Sequence, residues 1–153
     1  MKTKQDIVQN WLPRYTKRAL EDFTDYILLT NFHNYVEKFA AWYDVPVLGK
    51  DGTMTNASAN GITIINFGMG SPNAALIMDV LSAIQPKAVL FLGKCGGLKD
   101  KNQTGDYILP SAAIRGEGTS NDYFPPEIPA LPAFNLQRAV SSNIRDFGKD
   151  YWT

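Results

Sequence analysis

The sequence predicts an α/β protein: a sheet of short apolar strands with helices packed against it. Three observations lead there. Short apolar runs alternate with segments of helical period along the chain, the pattern of an α/β layer architecture. The run Val89-Leu-Phe-Leu-Gly-Lys-Cys-Gly-Gly-Leu98 stops abruptly on a glycine-rich loop, as a strand buried on both faces does when it meets a ligand loop. A strong hairpin signal, Asn60-Gly61, adds an antiparallel pair and makes the sheet mixed.

The elements follow in order. Residues 3–12 read as a short helix with Ile7, Val8, Trp11 and Leu12 on one face, which Pro13 would stop or turn. Residues 26–30 read as a first buried strand. Asn31 is placed to cap a helix whose apolar face is Phe32, Tyr35, Val36, Phe39, Ala40 and Tyr43. Residues 46–60 are loop-rich, with a weak strand near 54–59 leading through the hairpin turn into a strong strand at 62–67. Ser71 then reads as an N-cap and Pro72 as the first residue of a helix carrying Ala75, Leu76, Met78, Val80, Leu81 and Ile84. Pro86 ends it, and a strand over 87–93 follows. Beyond a solvated turn at 99–104, a strand is expected over 107–115, then a long loop over 116–132 and a last helix over 134–147. The tail Asp150-Tyr-Trp-Thr153 leaves two aromatic residues looking exposed.

Bulk properties narrow the function. The chain has 153 residues, 44% hydrophobic and 20% charged, ordinary for a globular domain with a core. Fifteen Lys+Arg balance fifteen Asp+Glu, so no long-range field draws in nucleic acid or an anionic membrane. No apolar stretch is long enough to span a bilayer. The single cysteine, Cys95, excludes an internal disulfide and suggests a reducing, cytoplasmic compartment. With one Cys and one His, His33, neither a metal ligand set nor a thiol–base pair is visible.

Three loops hold the polar chemistry. In Gly68-Met69-Gly70 the glycines let a ligand approach the backbone, and the following helix presents its amide end to an anion or a sugar hydroxyl. The same loop also serves as a tight strand-to-helix turn. In Gly93-Lys94-Cys95-Gly96-Gly97, Lys94 can meet a phosphate or carboxylate, or stand as a surface lysine on a turn. The third loop joins Arg115, Glu117, Thr119 and Tyr123, a mixture suited to a base or sugar, or to a polar loop loosened by glycine.

Together, residues 62–98 with Gly105-Asp-Tyr-Ile-Leu-Pro110, Ala113-Ile-Arg-Gly-Glu-Gly-Thr-Ser120 and Pro125-Pro126-Glu-Ile-Pro129 resemble the nucleoside phosphorylase and nucleosidase superfamily, in its AMP-cleaving branch. The resemblance runs from about Tyr26 to the last helix. It implies a three-layer α-β-α sandwich with a mixed central sheet, one domain whose core covers 26–147. It implies N-glycosidic cleavage of AMP to adenine and ribose 5-phosphate, through a dissociative path in which the protein protonates the purine and stabilises charge on the ribose. No cofactor and no metal are needed. Substrate-binding residues would be Asn31, Gly68, Met69, Gly70, Lys94, Cys95, Gly96, Gly97, Arg115, Glu117, Thr119 and Tyr123. Partners would be AMP and further copies of the chain, as a dimer or hexamer, with no nucleic acid and no membrane.

Departures from the family pattern sharpen this. Phosphorylases hold their attacking phosphate with arginines, one in the helix after the first strand and one just before the second glycine loop. The resemblance sets Tyr35 and Phe91 at those places, and Lys94 where many phosphorylases have a hydroxyl residue. Water then replaces phosphate as acceptor, and Lys94 and Arg115 are candidates for the substrate's 5′-phosphate, as is a basic group from a neighbouring subunit. The family's Met-Glu ribose motif and purine-protonating Asp have no match within 153 residues. The chain is therefore expected to be the N-terminal portion of a larger enzyme, with the catalytic acid beyond Thr153 and no activity of its own. The rival readings are a phosphorylase using phosphate as nucleophile and a non-catalytic nucleotide-binding module.

Overall fold

A computed structural model describes residues 2–153. The chain forms two compact units, Met1–Lys94 and Cys95–Thr153.

In the first unit, helix α1 (Lys4–Thr16) starts on a reciprocal cap. The Asp6 amide donates to Thr3 Oγ1 at 3.2 Å and the Thr3 amide to Asp6 Oδ2 at 2.8 Å. Pro13 does not stop this helix as expected; it lies inside it. A proline there forfeits one backbone bond and costs about 3 kcal/mol, but Leu12 and Thr16 on either side are fully buried. Thr16 Oγ1 bonds the Leu12 carbonyl at 2.7 Å and the Lys17 amide caps the Pro13 carbonyl at 2.8 Å.

The sheet has four strands in the order β2-β3-β1-β4: β1 (Tyr26–Thr30), β2 (Asn56–Ala59), β3 (Ile62–Asn66) and β4 (Ala88–Leu92). β1 runs parallel to both β3 and β4, so that Thr30, Asn66 and Leu92 share one register line. β2 is antiparallel to β3 through the hairpin, where Asn60 and Gly61 both take positive φ, 48° and 78°, the geometry of a type I′ turn. Side chains alternate across the sheet. Ile64 faces helix α2 (His33–Tyr43), packed with Val36, Phe39, Ala40 and Ala57. Ile65 faces the other way, onto Leu12 of α1 and Ile77, Val80 and Leu81 of helix α3 (Ser71–Leu81). Helices thus cover both faces, giving three layers.

Four local expectations shift. Asn31 does not cap α2; Phe32 holds that position with no side-chain bond. Gly70, not Ser71, is the N-cap of α3, at φ 96° and ψ 154°, a backbone region essentially reserved to glycine; Pro72 becomes the second helical residue. α3 ends at Leu81, before Pro86, with Ser82 Oγ bonding the Asp79 carbonyl at 2.6 Å. β4 is not buried on both faces: Leu90, Phe91 and Leu92 are exposed, and among the described residues β4 pairs on one side only, with β1.

The second unit is tied by polar contacts around short elements. The strand expected over 107–115 is two residues, β5 (Tyr107–Ile108), and Ala113 makes only an isolated bridge to Ala130. Pro110 has no amide to give a ladder, and the partner strand β6 (Tyr151–Trp152) is equally short. The aromatic tail is therefore paired rather than exposed: β6 runs parallel to β5 and both residues are half-buried. Trp152 Nε1 donates to Asp106 Oδ2 at 2.7 Å, and Lys101 Nζ lies 4.5 Å from the Trp152 ring centroid. Tyr151 Oη bonds Ser141 Oγ at 2.7 Å, on helix α4 (Phe134–Asp146).

Candidate functional site

The connections of β1 and β3 leave for opposite faces of the sheet, β1 into α2 and β3 into α3. Adjacent parallel strands that part this way open a crevice at their carboxyl ends. Five of the sequence-derived candidates stand at these strand ends within the first unit. Asn31 follows β1, Gly68, Met69 and Gly70 follow β3, and Lys94 follows β4.

The loop after β3 is shaped by its own side chains. The Gly68 amide donates to Asn66 Oδ1 at 3.1 Å, and Asn73 Nδ2 donates to the Met69 carbonyl at 3.0 Å. Gly68 has φ 84°, and a Cβ there would come within 3.1 Å of Asn73 Nδ2. Met69 projects outward, 74% exposed. Between α3 and the ends of β1 and β4 lies a cleft of about 460 Å³, lined by Asn31, Phe67, Gly70, Met78 and Phe91 with smaller apolar neighbours. Phe67 and Phe91 meet edge to face, centroids 5.7 Å apart. Asn31 Oδ1 is buried with no hydrogen-bond partner, an acceptor left over in an otherwise apolar wall.

Lys94 carries the cation of this end of the unit. Its Nζ lies 4.6 Å from the Phe32 ring centroid and 5.6 Å from that of Tyr35. Phe32 and Tyr35 were legible in the sequence as members of an apolar helix face, but their placement over Lys94 was not. His33 points its ring nitrogens at Thr55 Oγ1 and Glu37 Oε1, 3.2 Å each.

The remaining candidates belong to the second unit. Cys95 is a free, exposed thiol. Gly96 has open space where a Cβ would stand, whereas at Gly97 it would collide with the Asn102 side chain at 2.6 Å. Arg115, Glu117 and Thr119 are drawn into one network centred on Ser120, a residue that no sequence motif marks as a candidate. Arg115 Nε donates to Ser120 Oγ at 2.9 Å, its Nη1 to the carbonyls of Pro125 and Ile128 at 2.6 and 2.9 Å, and its Nη2 to those of Ser120 and Phe124 at 2.6 and 2.7 Å. A guanidinium has five N–H donors, and all five are engaged by the loop. Glu117 accepts from the Ser120 hydroxyl and, at 3.1 Å, from the Ser120 amide. The Ser120 hydroxyl and amide, then the Thr119 amide and the Arg115 charge, hold its carboxyl below the ordinary range. The Tyr123 amide donates to the Ser120 carbonyl at 3.1 Å, and Tyr123 is half exposed. Among the described residues no three His, Cys, Asp or Glu side chains gather as a metal would require.

Comparison with known proteins places this geometry. Residues 25–153 match the family model described as the phosphorylase superfamily. The crystal structure of AMP nucleosidase from Bacteroides thetaiotaomicron VPI-5482 superposes with a TM-score of 0.97 at 67% identity, covering 99% of this chain and 66% of that one. AMP nucleosidase of Escherichia coli K12 is 28% identical over 166 residues, covering 84% of this chain and 34% of its own length. Purine nucleoside phosphorylase from Toxoplasma gondii, 20% identical with a TM-score of 0.77 over 88% of this chain and 57% of that one, shares the fold. The chain thus spans about a third of one nucleosidase relative and just under two thirds of the other.

Proposed function

This chain belongs to the phosphorylase superfamily, and we propose that the full-length protein hydrolyses the N-glycosidic bond of AMP to adenine and ribose 5-phosphate. The observation that carries this reading is the 67% identity to a protein described as AMP nucleosidase, sustained over 99% of the chain. The family resemblance supports it as well. It sets Phe91 and Tyr35 at the places of the phosphorylases' two arginines, and the loss of that guanidinium pair favours water over phosphate as the acceptor.

The crevice residues Asn31, Gly68, Met69, Gly70 and Lys94 of the first unit bind the nucleotide. Lys94 is the better phosphate partner than Arg115, whose donors are spent on its own loop. As the glycosidic bond lengthens, positive charge builds on the ribose and negative charge on the purine. A general acid protonates the base, and the pocket stabilises the ribose cation. We place that acid in the part of the nucleosidase relatives that lies outside the match to this chain. The reaction belongs to purine salvage in the cytoplasm and is run by a homo-oligomer.

The substrate assignment is tested by measuring base release from a nucleotide and nucleoside panel with the full-length protein. AMP is expected to release free adenine faster than adenosine, GMP or uridine. Equal or faster cleavage of adenosine removes the nucleotide assignment, and tight binding without any base release favours a non-catalytic nucleotide-binding module.

A further inference from the structure

Within the strand-end loops of the first unit, residues 30–35, 66–74 and 92–94, Lys94 is the sole Lys or Arg. Its surroundings are unusual for an exposed lysine. Phe32 and Tyr35, three apart at the start of α2, present their rings to its ammonium at 4.6 and 5.6 Å. The rings touch each other, centroids 5.3 Å apart and tilted by 49°, and both residues are half-buried and so held in place. The ion pairs of residues 2–94 are Lys4–Asp79, His33–Glu37 and Lys87–Asp25; none involves Lys94. Ring faces attract a cation without neutralising it. A carboxylate in their place would hold the lysine equally well and cancel its charge toward a ligand.

We propose that Phe32 and Tyr35 are positioning residues that hold the Lys94 ammonium, charge intact, as a single-point anchor for a phosphate carried on the substrate. The inference rests on the AMP reading and adds how the site tells a nucleotide from a nucleoside and from free phosphate. One ammonium gives no bidentate clamp, so orthophosphate alone is held weakly. A phosphate tethered to a ribose already seated in the crevice meets the same ammonium at high effective concentration. The rings restrict the lysine before the ligand arrives, so less motion is lost on binding.

The experiment is calorimetric titration of the full-length protein with ribose 5-phosphate, ribose and orthophosphate in turn. Ribose 5-phosphate is expected to bind more tightly than either of the others. Phe32→Leu and Tyr35→Leu should each weaken ribose 5-phosphate binding by about 2- to 5-fold, the worth of an exposed cation–ring contact, while Tyr35→Phe retains it. In a Lys94→Met background the leucine substitutions should have no further effect. Trp42→Leu, an exposed aromatic on the same helix, should change nothing. Because a leucine variant can fail to fold, stepwise fluorination of the ring of Phe32, and of the ring placed by Tyr35→Phe, gives a second reading: shape is kept, the ring's negative face is withdrawn, and affinity should fall in step. Wild-type binding no tighter for ribose 5-phosphate than for ribose, leucine effects that persist without Lys94, or affinity indifferent to fluorination would each overturn the proposal. These outcomes are read by binding alone, so they stay distinct from a failure of AMP hydrolysis, which base release reports.

Discussion

The two units of this chain are held together by different physics. Residues 2–94 contain every buried residue of the described chain, from Val8 to Leu81, most of them in two apolar clusters on the two sides of one sheet. Residues 95–153 bury none. Their order comes from directed polar contacts: the Arg115 fan, the Glu117–Ser120 pair, and the Trp152 and Tyr151 ties. Apolar burial is non-directional and tolerates approximate shape, whereas a hydrogen-bonded loop depends on each donor in turn. The unit with the apolar core carries the crevice and Lys94, and the other carries the hydrogen-bonded loop around Arg115.

The largest expected contrast is between core truncations. Ile65, fully buried under α3, should cost about 3 kcal/mol when changed to alanine. Val140→Ala on α4, where no residue is buried, should cost under about 1 kcal/mol. Denaturant unfolding of the 153-residue chain checks both, and equal losses would dissolve the distinction. Next comes Arg115→Ala. Removing charge-assisted bonds, each worth about 1.5–3 kcal/mol, should raise hydrogen exchange or proteolysis in residues 116–128 by at least about tenfold, with β1 and β3 unaffected. Arg115→Lys should not restore protection, since an ammonium cannot reach the same set of carbonyls. The smallest effect is acid sensitivity. Glu117 and Asp106 both have depressed folded-state values, the first from Ser120 and the second from the Gln103 amide and then Trp152. Their stabilisation is whole above the ordinary carboxylate values, 4.5 and 3.8, and fades as pH falls through the depressed ones. Exchange in the second unit should therefore rise below pH ~4 before that of the sheet; simultaneous loss would count against the polar account.

The same contrast explains what could be read from the chain. β1, β3, α2 and the Asn60-Gly61 hairpin were legible because apolar period and turn chemistry act locally. Pro13 misled, since a burial gain at Leu12 and Thr16 outweighs a local rule. The short apolar run at 88–92 reads as a strand buried on both faces, and its exposure, with β1 as its one sheet partner among the described residues, is not something hydrophobicity reports. In the second unit the short β5, the Ala113–Ala130 bridge and the tail pairing rest on contacts between distant residues, invisible to periodicity. At the site, the glycines marked the strand ends correctly. The ring cage over Lys94 and the spent guanidinium of Arg115 needed three dimensions, since both depend on which side chain arrives from another element.

The central claim is hydrolysis of AMP, and the most direct measurement is adenine release by the full-length protein as orthophosphate is raised from zero. The account predicts turnover without phosphate, with ribose 5-phosphate as the sugar product at every concentration. A rate that vanishes without phosphate, and a product phosphorylated at C1 of the sugar, would contradict it and identify a phosphorylase.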